Sequence, residues 1–95
     1  MVQDGLPFRR GSVPPGFRRR TVLLAAGGRR PYESTEWAGA LVVIERGELE
    51  LETCAGQRWR FREGDVLCLA DLPLAALESP GPADTLLVAV SRRRG

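Results

Sequence analysis

GELELETCAGQRWRFREGDVLCL, residues 47–69, folds back on itself in register. Glu48, Glu50 and Glu52 alternate with Leu49 and Leu51, and beyond TCAGQ, Arg58, Arg60 and Arg62 alternate with Trp59 and Phe61. Strict alternation marks a half-buried strand, because successive side chains leave a strand on opposite faces. Pairing residues whose numbers sum to 110 sets Glu48 against Arg62, Glu50 against Arg60 and Glu52 against Arg58. The same register sets Leu49 against Phe61 and Leu51 against Trp59. Opposite charges directly across a strand pair add roughly 0.2–1 kcal/mol each. A slip by one residue would put leucines against arginines, so both faces specify one register.

Around this hairpin the chain reads as further short strands. Thr21 to Ala26 (TVLLAA) is an apolar strand closed by Gly27-Gly28, and Arg29 to Thr35 is a polar connection. Glu36 to Glu45 (EWAGALVVIE) is a β-branched run broken once at Gly39. After the turn Arg62-Glu63-Gly64-Asp65, Val66 to Leu69 reads as a strand with apolar residues on both faces. Leu72 to Leu77 follows as a strand with an edge-compatible Pro73. SPGPAD (79–84) is a loop and Thr85 to Ser91 a closing apolar strand. Six to eight short strands with glycine turns and weak helix signals describe an all-β domain, a small sandwich or barrel.

The 95 residues suffice for one domain. A chain of this length buries about 60–65% of its unfolded surface, so dimerisation would add useful stability. Residues 1–16 hold Gly5, Pro7, Gly11, Pro14, Pro15 and Gly16 and read as an extended arm; residues 17–91 form the barrel and 92–95 a basic tail. No apolar run reaches the roughly 18–20 residues that span a bilayer, and the N-terminus lacks an apolar signal-peptide core. The expected location is cytoplasmic, with Cys54 and Cys68 as free thiols. Cys68, within an apolar strand, is expected as a small core residue and Cys54, in the hairpin loop, as the more exposed thiol.

The chain has no histidine, which removes the commonest metal ligand, the commonest general base and every Ser-His or Cys-His pair. Charge is unevenly placed. Residues 1–30 carry seven arginines against Asp4, and residues 31–91 carry four arginines against eleven acids, before Arg92, Arg93 and Arg94. Arginine-rich ends suit contact with nucleic acid or an acidic protein. Little base-reading chemistry accompanies them, so no nucleic-acid partner is expected.

The strand order and turns resemble the cupin family. The matching residues are Gly47-Glu48-Leu49, Phe61, Gly64-Asp65-Val66, Pro73 and Leu86-Leu87-Val88, and the resemblance runs from Pro31 to Ser91. Cyclic-nucleotide-binding domains share a similar β-roll but continue into a helix with a phosphate-binding arginine, for which no pattern exists here. The resemblance implies a small double-sheet, jelly-roll β-barrel. Many cupins hold a metal through three histidines and a glutamate. The corresponding positions here are Ser34, Glu36, Ala40 and Ala75, so neither a metal nor another cofactor is expected.

A non-catalytic role follows: binding of a small molecule in the barrel, or service as a regulatory or structural homodimer. Tyr32, Ser34, Glu36, Trp37, Ala40 and Ala75 are the expected ligand-binding residues, with Trp59 or Phe61 as the floor. Trp37 is placed in the pocket, and Trp59 and Phe61 in the core. An alternative is a metal-free isomerase, epimerase or cyclase in which Glu36, its pKa raised by burial, is the base and Tyr32 the acid. A second alternative is an interaction module acting through the arginine-rich ends.

Overall fold

The computed structural model describes residues 15–92. The strands are β1 (Phe17–Leu24), β2 (Arg29–Pro31), β3 (Ala40–Arg46), β4 (Glu48–Thr53), β5 (Arg58–Arg62), β6 (Val66–Leu67), β7 (Leu74–Glu78) and β8 (Thr85–Arg92). A short 3-10 turn, Ser34–Trp37, precedes β3. The strands form two antiparallel four-stranded sheets, in the orders β1-β8-β3-β6 and β2-β7-β4-β5. Residues 1–14 and 93–95, most of the expected arm and tail, lie outside the described residues.

The hairpin has the expected register, with Glu48 opposite Arg62, Leu49 opposite Phe61, Glu50 opposite Arg60, Leu51 opposite Trp59 and Glu52 opposite Arg58. Its charged face forms part of a wider lattice. Strand β7 pairs on the other side of β4 and sets Glu78 directly opposite Glu50. Like charges so placed repel, and arginines on both flanks answer them. Arg58 reaches Glu50 at 3.1 Å, Glu78 at 3.0 Å and Glu52 at 3.5 Å. Arg29, on β2, binds Glu52 at 2.5 Å and also Glu78. Carboxylates therefore occupy the middle of the sheet and guanidinium groups its two margins.

The opposite face of this sheet meets the inward face of the other. Val22, Leu24, Val42, Ile44, Leu49, Leu51, Leu69, Leu74, Leu77 and Leu87 fill the space between, together with Trp37, and Phe61 packs against them. Two close approaches hold the connections. Gly47, at φ +79°, lies where a Cβ would run into the Asp84 carbonyl oxygen. Thr85 is fully buried and its hydroxyl donates to the Glu48 carbonyl oxygen, beside the Ser79 hydroxyl.

Several boundaries differ from the sequence reading. Strand β1 begins at Phe17 rather than Thr21, and the polar connection contains β2. The expected strand from Glu36 starts only at Ala40, because Ser34–Trp37 coils into the 3-10 turn and Gly39, at φ +69°, reverses the chain. Phe61 packs against the core as expected, but the two tryptophans are reversed. Trp37 is fully buried, whereas Trp59 is 37% exposed. Trp59 shares the inward side of the hairpin with Leu51, but among the described residues β5 is the last strand of its sheet and no strand pairs beyond it. Cys68 is exposed rather than core, because β6 ends at Leu67 and the chain has left the sheet by that residue.

Candidate binding site at the barrel mouth

Alternation along β1 extends its inward face past the apolar residues. Val22 and Leu24 point into the core, and two and four residues earlier Arg20 and Arg18 fall on the same side. Register carries this face across the sheet: Arg18 lies opposite Ser91, which lies opposite Ala40, and Arg20 lies opposite Ala89, which lies opposite Val42. The core thus gives way to arginine, serine and alanine at one end of the barrel. A cleft of about 200 Å³ opens there, lined by Arg18, Arg20, Thr35, Glu36, Ala38, Ala40, Ala89 and Ser91.

The 3-10 turn supplies the cleft's other wall. It buries Trp37 in the core and leaves the neighbouring Glu36 half-buried at the mouth. Arg20 donates to the Glu36 carboxylate at 3.1 Å and to its main-chain carbonyl oxygen at 3.2 Å. Arg30, from β2 in the other sheet, donates to the same carboxylate oxygen. Glu36 therefore ties the two sheets together across the opening. Burial pushes its carboxyl up, but the hydrogen bonds from Arg30 and Arg20 prevail and hold it below the usual carboxylate range. A general base poised near neutrality needs the opposite shift.

The six residues expected at the site separate. Glu36 and Ala40 line the cleft. Trp37 belongs to the core, and Ser34 is exposed at the start of the turn. The Tyr32 hydroxyl donates to the Leu69 carbonyl oxygen at 2.6 Å, and its amide donates to the Ala75 carbonyl oxygen at 3.0 Å. Tyr32 and Glu36 thus have separate partners rather than one shared cavity. Arg18, Arg20, Thr35, Ala38, Ala89 and Ser91 were not anticipated. The signal for the arginines was present in RRRTVLL, where residues 18, 20, 22 and 24 follow one period-two face.

The donor set does not fit a metal. Of the four positions aligned with the cupin metal ligands, Ala40 and Ala75 offer only methyl groups, Ser34 is exposed, and the Glu36 carboxylate is held by two guanidinium groups. First-row metals need three or four convergent donors. Among the described residues no three histidine, cysteine or acidic side chains gather into such a group.

Two facing antiparallel sheets in this order, open at one end, define a cupin fold. The cupin domain of Schizosaccharomyces pombe Cnp3 has it, with a TM-score of 0.65 and 15% identity over 87% of this chain, which spans 57% of that chain's length. Protein NMB1881 from Neisseria meningitidis superposes at a TM-score of 0.60, with 16% identity, over 85% of this chain and 78% of its own. The cupin domain of an XRE family transcriptional regulator from Enterobacter cloacae does so at 0.57, with 19% identity, over 84% of both chains. No family model and no curated protein matches the sequence. Among the described residues no helix is long and apolar enough to cross a membrane.

Proposed function

We propose that this cupin domain binds a small molecule at the mouth of its barrel and performs no chemistry on it. The observation that carries the reading is the contrast between the packed interior and the lining of the cleft. Leucine, valine and Trp37 fill the interior, while the cleft at the mouth presents arginine and hydroxyl groups over a floor of alanines. Ligand sites commonly combine such small apolar surfaces with a few placed polar groups. A domain of the same fold in a transcriptional regulator supports a sensing role for the occupied state. The free thiols of Cys54 and Cys68 suit a reducing, cytoplasmic setting.

The test is a fragment screen read by amide NMR. Saturable shifts should cluster at Ala38, Ala40, Ala89 and Ser91, with every fragment recovered unchanged. Shifts confined to other surfaces, or turnover of a bound fragment, would defeat the reading.

A homodimer is a second element of the proposal, supported by the outward face of the β1-β8-β3-β6 sheet. Register places Thr21, Val88, Val43 and Val66 in one row across all four strands, with Leu23 and Leu41 on the same face; Val88 and Val43 are already buried, and Leu23, Leu41 and Val66 are the apolar side chains left open. Leu23, Leu41 and Val66 are 62%, 46% and 48% exposed. A second copy of the chain would cover this apolar surface, and a stable interface needs about 1,000 Å² or more in total.

A further inference from the structure

We infer that the ligand taken at the mouth is a small oxyanion, held by Arg18 and Arg20, and that Glu36 is the internal anion with which it competes. This rests on the reading of the mouth as the ligand site. Arg18 and Arg20 are successive inward-facing residues of one strand, so their Cα atoms stand about 6–7 Å apart along it. Only one of them is matched. Arg20 is bonded to Glu36 and stacked over Trp37 at 5.0 Å, whereas the Arg18 side chain has no hydrogen-bond or ion-pair partner among the described residues.

The charges at the mouth do not balance. Two guanidinium groups, Arg20 and Arg30, bind the single carboxylate of Glu36, and Arg18 lines the same cleft without a carboxylate of its own, which leaves an excess of two positive charges among these four side chains. Behind the cleft, Arg30 Nε and Trp37 Nε1 are buried without a hydrogen-bond partner, the first on a side chain that binds Glu36 and the second on the residue that follows Glu36. A planar guanidinium presents paired N–H groups that match the oxygens of a carboxylate or phosphate. The Thr35 and Ser91 residues add hydroxyl groups to the lining, and Ala38, Ala40 and Ala89 add methyl surface.

Size narrows the class. About 200 Å³ corresponds to roughly six or seven molecules of liquid water, room for a short carboxylate or a phosphate group. Glu36 then sets the affinity, because Arg20 meets the ligand fully only when it lets go of that carboxylate. Occupancy would release the link between Arg20 on β1 and the Glu36–Arg30 pair, and so loosen the tie between the two sheets.

The experiment titrates inorganic phosphate and, separately, acetate into the protein at constant ionic strength, following backbone amides and arginine Nε–H signals by NMR. Saturable shifts at Arg18, Arg20 and Ser91 are expected with at least one anion. A tenfold preference for phosphate would assign a phosphate ester as the natural ligand, and the reverse preference a carboxylate. Arg18→Gln should weaken binding at least tenfold, and Glu36→Gln should tighten it at least fivefold. Glu36→Ala, which also removes the charge, gives the same comparison if the glutamine variant fails to fold. Unchanged or weaker affinity in both Glu36 variants would overturn its role as competitor. Neutral fragments that bind at the mouth while neither anion does would overturn the oxyanion and leave the mouth as the site. Silence from anions and neutral fragments alike would remove both.

Discussion

The guanidinium carbon of Arg20 stands 5.0 Å from the centre of the Trp37 ring, so the residue that opens the polar mouth also covers the largest side chain of the core. A cation over an indole face is worth about 0.5–1 kcal/mol at exposed sites and about 2 kcal/mol when desolvated. Core and mouth therefore share one boundary, and variants on its two sides should behave differently.

Trp37→Ala should cost roughly 3–5 kcal/mol of stability, as expected for deleting a fully enclosed aromatic side chain. Trp59→Ala should cost well under half of that, because its ring sits at a sheet margin. Urea midpoints of the two variants check this. Equal losses would contradict the burial of Trp37.

Gly47→Ala should be the most damaging of the glycine substitutions in this fold. It combines a positive φ with a Cβ driven into the Asp84 backbone, and strained backbone alone costs about 1–3 kcal/mol. Gly56→Ala, also at positive φ but with open space around the added Cβ, should lose only about 1–2 kcal/mol. Thermal melts of the pair separate strain from collision. Similar losses in both would remove the collision.

Thr85→Val keeps the shape of the buried side chain but removes the donor to the Glu48 carbonyl oxygen. Leaving that acceptor unpaired should cost about 1–3 kcal/mol. A variant as stable as the parent would mean that the acceptor finds another donor.

Acid should unfold the domain through its paired carboxylates. Hydrogen bonding from Arg58 lowers the Glu78 carboxyl and Arg29 adds to this, against a smaller opposing effect of burial, while Glu36 is held low by Arg30 and Arg20 against burial. Both lie below their ordinary value of 4.5 in the folded state. The resulting stability is present above that pH and lost as pH falls through the lowered values. Urea midpoints should hold steady near neutrality and fall below about pH 4.5, with a shallower fall in Glu78→Gln. A flat profile would contradict the pairing.

A dimer at twice the 10.4 kDa chain mass is expected by light scattering at micromolar concentration. Leu23→Glu combined with Leu41→Glu should return the monomer while leaving the fold intact. A monomeric parent would remove the dimer from the proposal.

The hairpin was legible in the sequence because its information is local. Two alternating segments, one acidic and one basic, admit a single register, and both faces of the pair agree on it. The missing histidines and the alanines at positions 40 and 75 were equally plain, since residue identity is read directly. Burial was not legible, because it depends on what a strand neighbours in space. Trp59 obeys the hairpin's inward pattern yet ends at a sheet margin, while Trp37, beside Glu36 and before Gly39, enters the core through a four-residue turn that its β-branched context did not suggest. The mouth has the same origin. Arg18 and Arg20 read as part of a basic terminus until β1 pairs with β8 and sets them opposite Ser91 and Ala89, and only the meeting of the two sheets brings Arg30 to the carboxylate that Arg20 holds. Period-two alternation assigns faces along a chain; which face closes over a core, and which opens to a ligand, is decided by contacts between strands far apart in sequence.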